Sequence, residues 1–91
     1  MIINYKDKEI TLKNSFRAMI MFENINGATF TGGTLTEAIT FFYCVVVTSS
    51  KDYTINYDDV VDWLDENPEK LKEFGEWVAE SSQNNNKLKK D

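Results

Sequence analysis

The central stretch, residues 35–48, reads Leu-Thr-Glu-Ala-Ile-Thr-Phe-Phe-Tyr-Cys-Val-Val-Val-Thr, and its conformation decides the fold. Three consecutive valines favour a β-strand by propensity. The length of the stretch and its start, where Thr34 or Thr36 can cap and Glu37 lies in the first turn, favour a helix. Five apolar side chains fall on one helical face: Leu35, Ala38, Ile39, Phe42 and Val46. We therefore predict a helix here, buried because its second half is apolar on every side.

The segment before this helix predicts a hairpin and a first amphipathic helix. Residues 1–12 alternate apolar and polar side chains around a polar turn at Asp7 and Lys8. Residues 16–26 carry a broad apolar face at helical spacing. Ser15 or Asn14 before them can cap a helix, and a glycine follows them to end it.

The segment after the central helix predicts two short acidic helices and a polar tail. Asn56 is followed by carboxylates that suit the positive end of a helix, and Pro68 suits the first position of the next one. Residues 81–91 contain a single apolar side chain and predict a disordered tail. The expected fold class is mainly α (α+β), with one domain at residues 1–80. A short N-terminal β-hairpin precedes about four helices, in a compact bundle around the buried central helix.

Composition excludes most enzyme classes. The 91 residues include no His and one Cys, which removes Ser-His and Cys-His catalysis, imidazole zinc sites and intrachain disulfides. Cys44 lies in the most apolar run and is expected to be a buried, unreactive thiol. A net charge of −5 argues against nucleic acid, and the run 41–47 is far below the roughly 20 residues of a membrane helix. With no signal peptide in residues 1–7, we expect a cytoplasmic, non-enzymatic protein without cofactor, metal or membrane partner.

The glycine-rich connection at residues 27–34 is one residue from a phosphate-binding loop. Gly33 stands where that motif requires the lysine that grips the phosphates, and the segment follows a helix rather than a strand. A connection between helices is therefore the preferred interpretation. A binding segment in this loop remains the alternative.

The acidic residues after position 51 do not form a recognisable metal or catalytic site. Counted from Asp52, the glycine and the final acid of a calcium loop would fall on Tyr57 and Trp63. Asp58 and Asp62 stand at i, i+4, but no other feature marks a sugar-binding cleft. We interpret these acids as a solvated helix face.

Two tryptophans, Trp63 and Trp77, lie beside the apolar seams of the two acidic helices. Either both rings pack on the domain's own core, or at least one forms an exposed anchor for a partner. The sequence leaves both interpretations open. Together with Phe22 and Phe74, they are the candidate partner-binding residues, and no catalytic or metal-binding residue is expected.

Three segments of the sequence resemble those of a known protein family. Residues 16–27 read Phe-Arg-Ala-Met-Ile-Met-Phe-Glu-Asn-Ile-Asn-Gly, an apolar helix then contains Phe-Phe-Tyr-Cys at 41–44, and a turn leads into the acidic helix of residues 53–65. In this pattern the chain resembles, over roughly residues 2–80, the tail assembly chaperones of long-tailed phages and prophages. The first segment has that family's form Phe-x-Ala-x-x-x-Phe-Glu-x-x-x-Gly.

The resemblance implies a role in virion assembly, in the host cytoplasm if the gene belongs to a phage. Such chaperones coat the apolar, helical tape-measure protein, keep it soluble and help bring tail-tube protein to it. They multimerise along their client, so weak self-association is expected, and some are also made as a longer frameshifted form.

A different function class is suggested by charge alone. Residues 52–80 carry ten acids against Lys70 and Lys72, so their local net charge is 2 − 10 = −8. A small acidic regulator or inhibitor could use this charge to occupy a basic site on a partner. High salt would weaken such binding steeply and would change apolar binding little.

Overall fold

The computed structural model describes the backbone of residues 1–90 and the side chains of residues 1–81. Six elements follow in chain order: β1 (Ile2–Tyr5), β2 (Lys8–Thr11), α1 (Phe16–Asn26), α2 (Leu35–Ser50), α3 (Tyr57–Glu66) and α4 (Pro68–Lys90). The hairpin and the four helices, three of which pack on the central α2, confirm the predicted fold class. The predicted tail, residues 81–91, lies almost wholly outside the described side chains and stays a prediction.

The hairpin is antiparallel, with Ile3 opposite Ile10 and Tyr5 opposite Lys8. Its two-residue turn consists of Lys6 and Asp7, both with positive φ (48° and 65°), one residue before the predicted turn. Positive φ at both positions is the geometry whose twist matches that of the two strands. The alternation then buries one face of the ribbon, including Ile3, Tyr5 and Ile10, against the helices.

Side-chain caps begin the first three helices where the sequence predicts them. The hydroxyls of Ser15 and Thr34 accept from the backbone N–H groups of Ala18 and Glu37, both at 3.1 Å. The Asn56 side chain accepts from the N–H of Asp58 at 2.7 Å. Each cap satisfies a donor that the first helical turn leaves without a partner.

The central segment is a helix, as predicted, and it forms the core of the molecule. Helix α2 packs against β2 and against the other three helices. Eight of its residues are buried: Thr40, Phe41, Phe42, Cys44, Val45, Val46, Val47 and Thr48. It runs to Ser50, two residues past the predicted end, and Lys51 closes it with φ of 58°. Burial on all sides explains why a run of valines is tolerated in a helix, since tertiary packing overrides propensity.

Within the part of the chain that the structure describes, no helix combines the length and the apolar character needed to cross a membrane.

Candidate functional site

The predicted binding residues Phe22 and Phe74 lie in the core. Phe22 is 0% exposed and Phe74 is 2% exposed. The Phe22 ring meets Phe41 edge to face at 5.6 Å, and Phe74 meets Phe42 in the same way at 5.1 Å. Edge-to-face pairs at these separations add to the stability from burial. The structure brings both residues into one aromatic cluster. Because they are buried, a partner could reach them only through a cleft.

The other two predicted residues, Trp63 and Trp77, are half-buried. Trp63 stacks on Phe42 with ring centroids 5.9 Å apart, and Trp77 tilts against Phe74 at 5.8 Å. Trp63 also contacts Tyr5 at 5.9 Å, so both indoles pack on the domain and are only partly exposed. Packing on the domain's own core is observed for both rings, and a partner contact at their exposed parts stays a prediction.

Phe30, which the sequence reasoning did not single out, projects from the loop between α1 and α2. Its half-buried ring stacks on Phe41 at 4.5 Å and meets Phe22 edge to face at 5.5 Å. The signal in the sequence is one large aromatic side chain in a connection otherwise made of Ala, Thr and Gly. The loop therefore contributes a ring to the aromatic cluster from outside the helices.

A carboxylate in the first turn of α2 holds this loop. Glu37 accepts hydrogen bonds from the backbone N–H of Thr31 and from that of Gly32 at 2.7 Å, and from the Thr31 hydroxyl at 3.0 Å. These hydrogen bonds lower the pKa of Glu37 below its ordinary value, and the bond from the Thr31 N–H has the largest effect. Gly32 adopts φ of 75°, a left-handed conformation that glycine takes without strain.

Two apolar clefts are bordered by the Phe30 ring. The smaller, of about 160 Å³, is lined by Phe22, Phe41 and Met19 of the core. The larger, of about 390 Å³, is lined by Leu71, Phe74 and Ala79 among others. Phe30 and Val78 border both clefts. We call the combined feature the Phe30 groove, and define it by Phe22, Phe30, Phe41, Leu71, Phe74 and Val78. The groove brings the two predicted phenylalanines together as part of its floor, and neither tryptophan lines it.

The outer side of α1 exposes a second apolar surface. Phe16 is 82% exposed and Ile20 is 60% exposed, and they stand one helical turn apart. The buried residues of the same helix, Ala18 and Phe22, face the core. We call Phe16 and Ile20 the α1 outer face.

The acidic residues form a solvated face, as the sequence predicts. Among the ten acids of residues 52–80, only Asp59 and Glu73 form salt bridges within the described side chains, to Lys6 at 3.0 Å and to Lys70 at 3.4 Å. No group of three or more potential metal-binding side chains occurs within the described residues.

The thiol of Cys44 has no feature of a reactive group. It is fully buried, as predicted, and burial raises its pKa to about 11. Since the thiolate is the reactive form, this cysteine acts as a small hydrophobic side chain at neutral pH.

Comparison with known proteins finds no matching family model, no similar curated protein and no similar solved structure.

Proposed function

We propose that this protein is a non-enzymatic tail assembly chaperone that binds apolar helical segments of a tape-measure protein, keeps them soluble and helps recruit tail-tube protein. The observation that carries the proposal is the Phe30 groove, an apolar groove open to solvent on a small acidic chain. The sequence resemblance to phage tail assembly chaperones supports the choice of client.

The groove and the α1 outer face suit an apolar helix as ligand. An amphipathic helix places anchors at i, i+3, i+4 and i+7 into a hydrophobic groove. Fully burying an exposed Phe or Ile contributes about 1.5–3 kcal/mol, so covering Phe16 and Ile20 would add substantially to binding. A client could therefore gain binding energy at either surface.

A chaperone of aggregation-prone helices must also keep its complexes from associating with one another, and the acidic helices supply negative charge for this purpose. Eight of the ten acids in residues 52–80 form no ion pair with the described side chains, because only Asp59 and Glu73 do (10 − 2 = 8). Unpaired carboxylates give a complex a large negative charge, which opposes association between complexes. Trp63 and Trp77 lie on these helices and are proposed as outer contacts for the client or for a second copy of the chain.

Co-expression with the tape-measure protein tests the proposal. Ala79→Glu introduces a charge at the exposed edge of the larger cleft, and Thr11→Glu adds the same charge on the exposed side of the hairpin as a matched control. We expect the client to be soluble with the parent and with Thr11→Glu, and to precipitate with Ala79→Glu. A client that is equally soluble without this chain would refute the proposal.

The unpaired acids also favour a second candidate function, a small acidic regulator that occupies a basic site. Its distinguishing property is salt dependence, because interactions between exposed charges are screened within about 10 Å at 0.1 M salt. Binding that falls steeply between low and high salt, with no effect of Ala79→Glu, would favour the regulator.

A further inference from the structure

We propose that Phe30 is a displaceable plug, and that the Phe30 groove accepts one aromatic side chain from an apolar helical partner in the space that the Phe30 ring fills. The inference rests on the proposed function for the class of partner. It adds the specificity of the site, which is one aromatic anchor, and the mechanism of binding, which is exchange of one ring for another.

The position of Phe30 in the chain makes exchange feasible. Its neighbours Phe22 and Phe41 belong to helices that form the core, whereas Phe30 belongs to the connection between them. The ring borders both clefts of the groove, of about 160 and 390 Å³. Withdrawal of the ring would add the space that it fills to these clefts and leave the helices in place.

The loop is held to the rest of the fold by few polar contacts. Apart from the Phe30 ring, hydrogen bonds from Thr31 and Gly32 to the Glu37 side chain link it to α2. The other hydrogen bonds of residues 28–33, among the described residues, stay within two positions in the chain. All these bonds are exposed to water, which competes for their donors and acceptors.

Backbone freedom at the ends of the loop also permits the movement. Gly27 closes α1 with φ of 78° and Gly32 has φ of 75°, so both adopt conformations that few other residues reach without strain. Space beside Gly27 is open, with no atom within 4 Å of where a side chain would begin. Rotation at these two positions moves the loop without breaking a helix.

The kind of side chain that the groove would accept from a partner follows from the contacts of the Phe30 ring. A phenyl ring there finds one flat partner, Phe41, and one edge-to-face partner, Phe22, the two arrangements that aromatic rings prefer. Glu23 borders the smaller cleft and Glu37 holds the loop, so the charges next to the site are negative. The favoured partner is therefore an apolar helix with one aromatic side chain and no acidic residue beside it.

A peptide probe tests the exchange without the natural client. The probe is a helical peptide of Ala, Leu and Lys with one central Phe, and its control carries Ala at that position. We expect the parent to bind the Phe peptide with shifts in the amide NMR signals of Thr31 and Gly32. Phe30→Ala should bind it about tenfold tighter, because the competing ring is gone and the binding-competent state no longer has to form.

Two further variants separate exchange from general loosening of the fold. Glu37→Ala keeps the ring and removes the hydrogen bonds that hold the loop, so it should bind the Phe peptide more tightly than the parent and exchange the Thr31 and Gly32 amide hydrogens faster. Val60→Ala removes buried packing on α3 away from the groove, and its affinity should match that of the parent. If Phe30→Ala fails to fold, the affinity of Glu37→Ala for the Phe peptide tests the exchange instead.

The exchange proposal would be refuted if the parent and the folded groove variants bound the Phe peptide with equal affinity, or if the Thr31 and Gly32 signals did not shift on binding. Equal affinity for the Phe and Ala peptides, or no binding of the Phe peptide at all, would also refute it. The co-expression assay decides the chaperone function separately. A client kept soluble together with unshifted loop signals would leave the chaperone standing and refute the exchange.

Discussion

The second half of α2 and the loop of residues 28–33 place apolar side chains in the same core in opposite ways. Val45, Val46 and Val47 are fully enclosed on a helix that every other helix contacts. Phe30 reaches the same core from outside and is half-buried, on a loop that one carboxylate holds. Under the proposed function, the enclosed valines of α2 would provide stability, and the loop would be the part that changes on binding.

The largest effect should come from charging the enclosed part. Val46→Asp places a carboxylate without a partner at a fully buried position, and such substitutions cost about 4–5 kcal/mol or more, comparable to the whole stability of many small domains. We expect loss of the cooperative thermal transition, measured by circular dichroism. A melting curve equal to the parent's would show that the stretch is exposed in solution.

Truncating one ring in each region sharpens the comparison. Phe42→Ala empties a fully buried site and should lower the free energy of unfolding by about 3–5 kcal/mol. Phe30→Ala removes a half-buried ring and should lower the free energy of unfolding by about 1–2 kcal/mol. Urea denaturation measures both values. Equal losses would mean that Phe30 is as much a part of the core as Phe42, and that the loop does not move independently.

Acid should act on the loop before it acts on the helix core. The pKa of Glu37 is below its ordinary 4.5 because the folded chain donates hydrogen bonds to the carboxylate, first from the Thr31 N–H. A group with a lowered folded pKa contributes stability that is fully present above the unfolded value and is lost as pH falls through the folded one. The Thr31 and Gly32 amide signals should therefore titrate with a midpoint below pH 4.5. A midpoint at or above pH 4.5 would contradict the contact.

The smallest effect is expected at the C-terminus. Residues 82–91 contain one apolar side chain, Leu88, so their sequence offers little area to bury. Deleting them should move the thermal midpoint by no more than about one or two degrees, measured by calorimetry. A loss of ten degrees would show that this segment docks on the domain.

The sequence predicted the elements well because their signals are local. Ser15, Thr34 and Asn56 cap the helices that the apolar periodicity indicates, and their side chains form the expected bonds. The hairpin turn differed by one residue because several polar residues can supply the turn, and only the register distinguishes them.

The candidate site was harder to predict because it depends on contacts between segments far apart in the chain. Phe30 and Phe74 are brought to one groove only by the packing of α4 on α2, which no local pattern reveals. Burial of Phe22 and Phe74 likewise depends on which residues cover them. The sequence did show a Gly- and Thr-rich loop with one aromatic side chain. The role of that side chain became clear only from the groove that it borders in the folded chain.

Hydrogen–deuterium exchange of the intact chain, with and without a soluble fragment of the tape-measure protein, tests most directly whether binding is confined to the groove. We expect the fragment to change exchange in α1, in residues 28–33 and in residues 71–79 of α4, while residues 44–48 of α2 stay equally protected in both states. Changes confined to α3, or no change at any concentration of the fragment, would contradict the division between an enclosed core and an exchangeable binding groove.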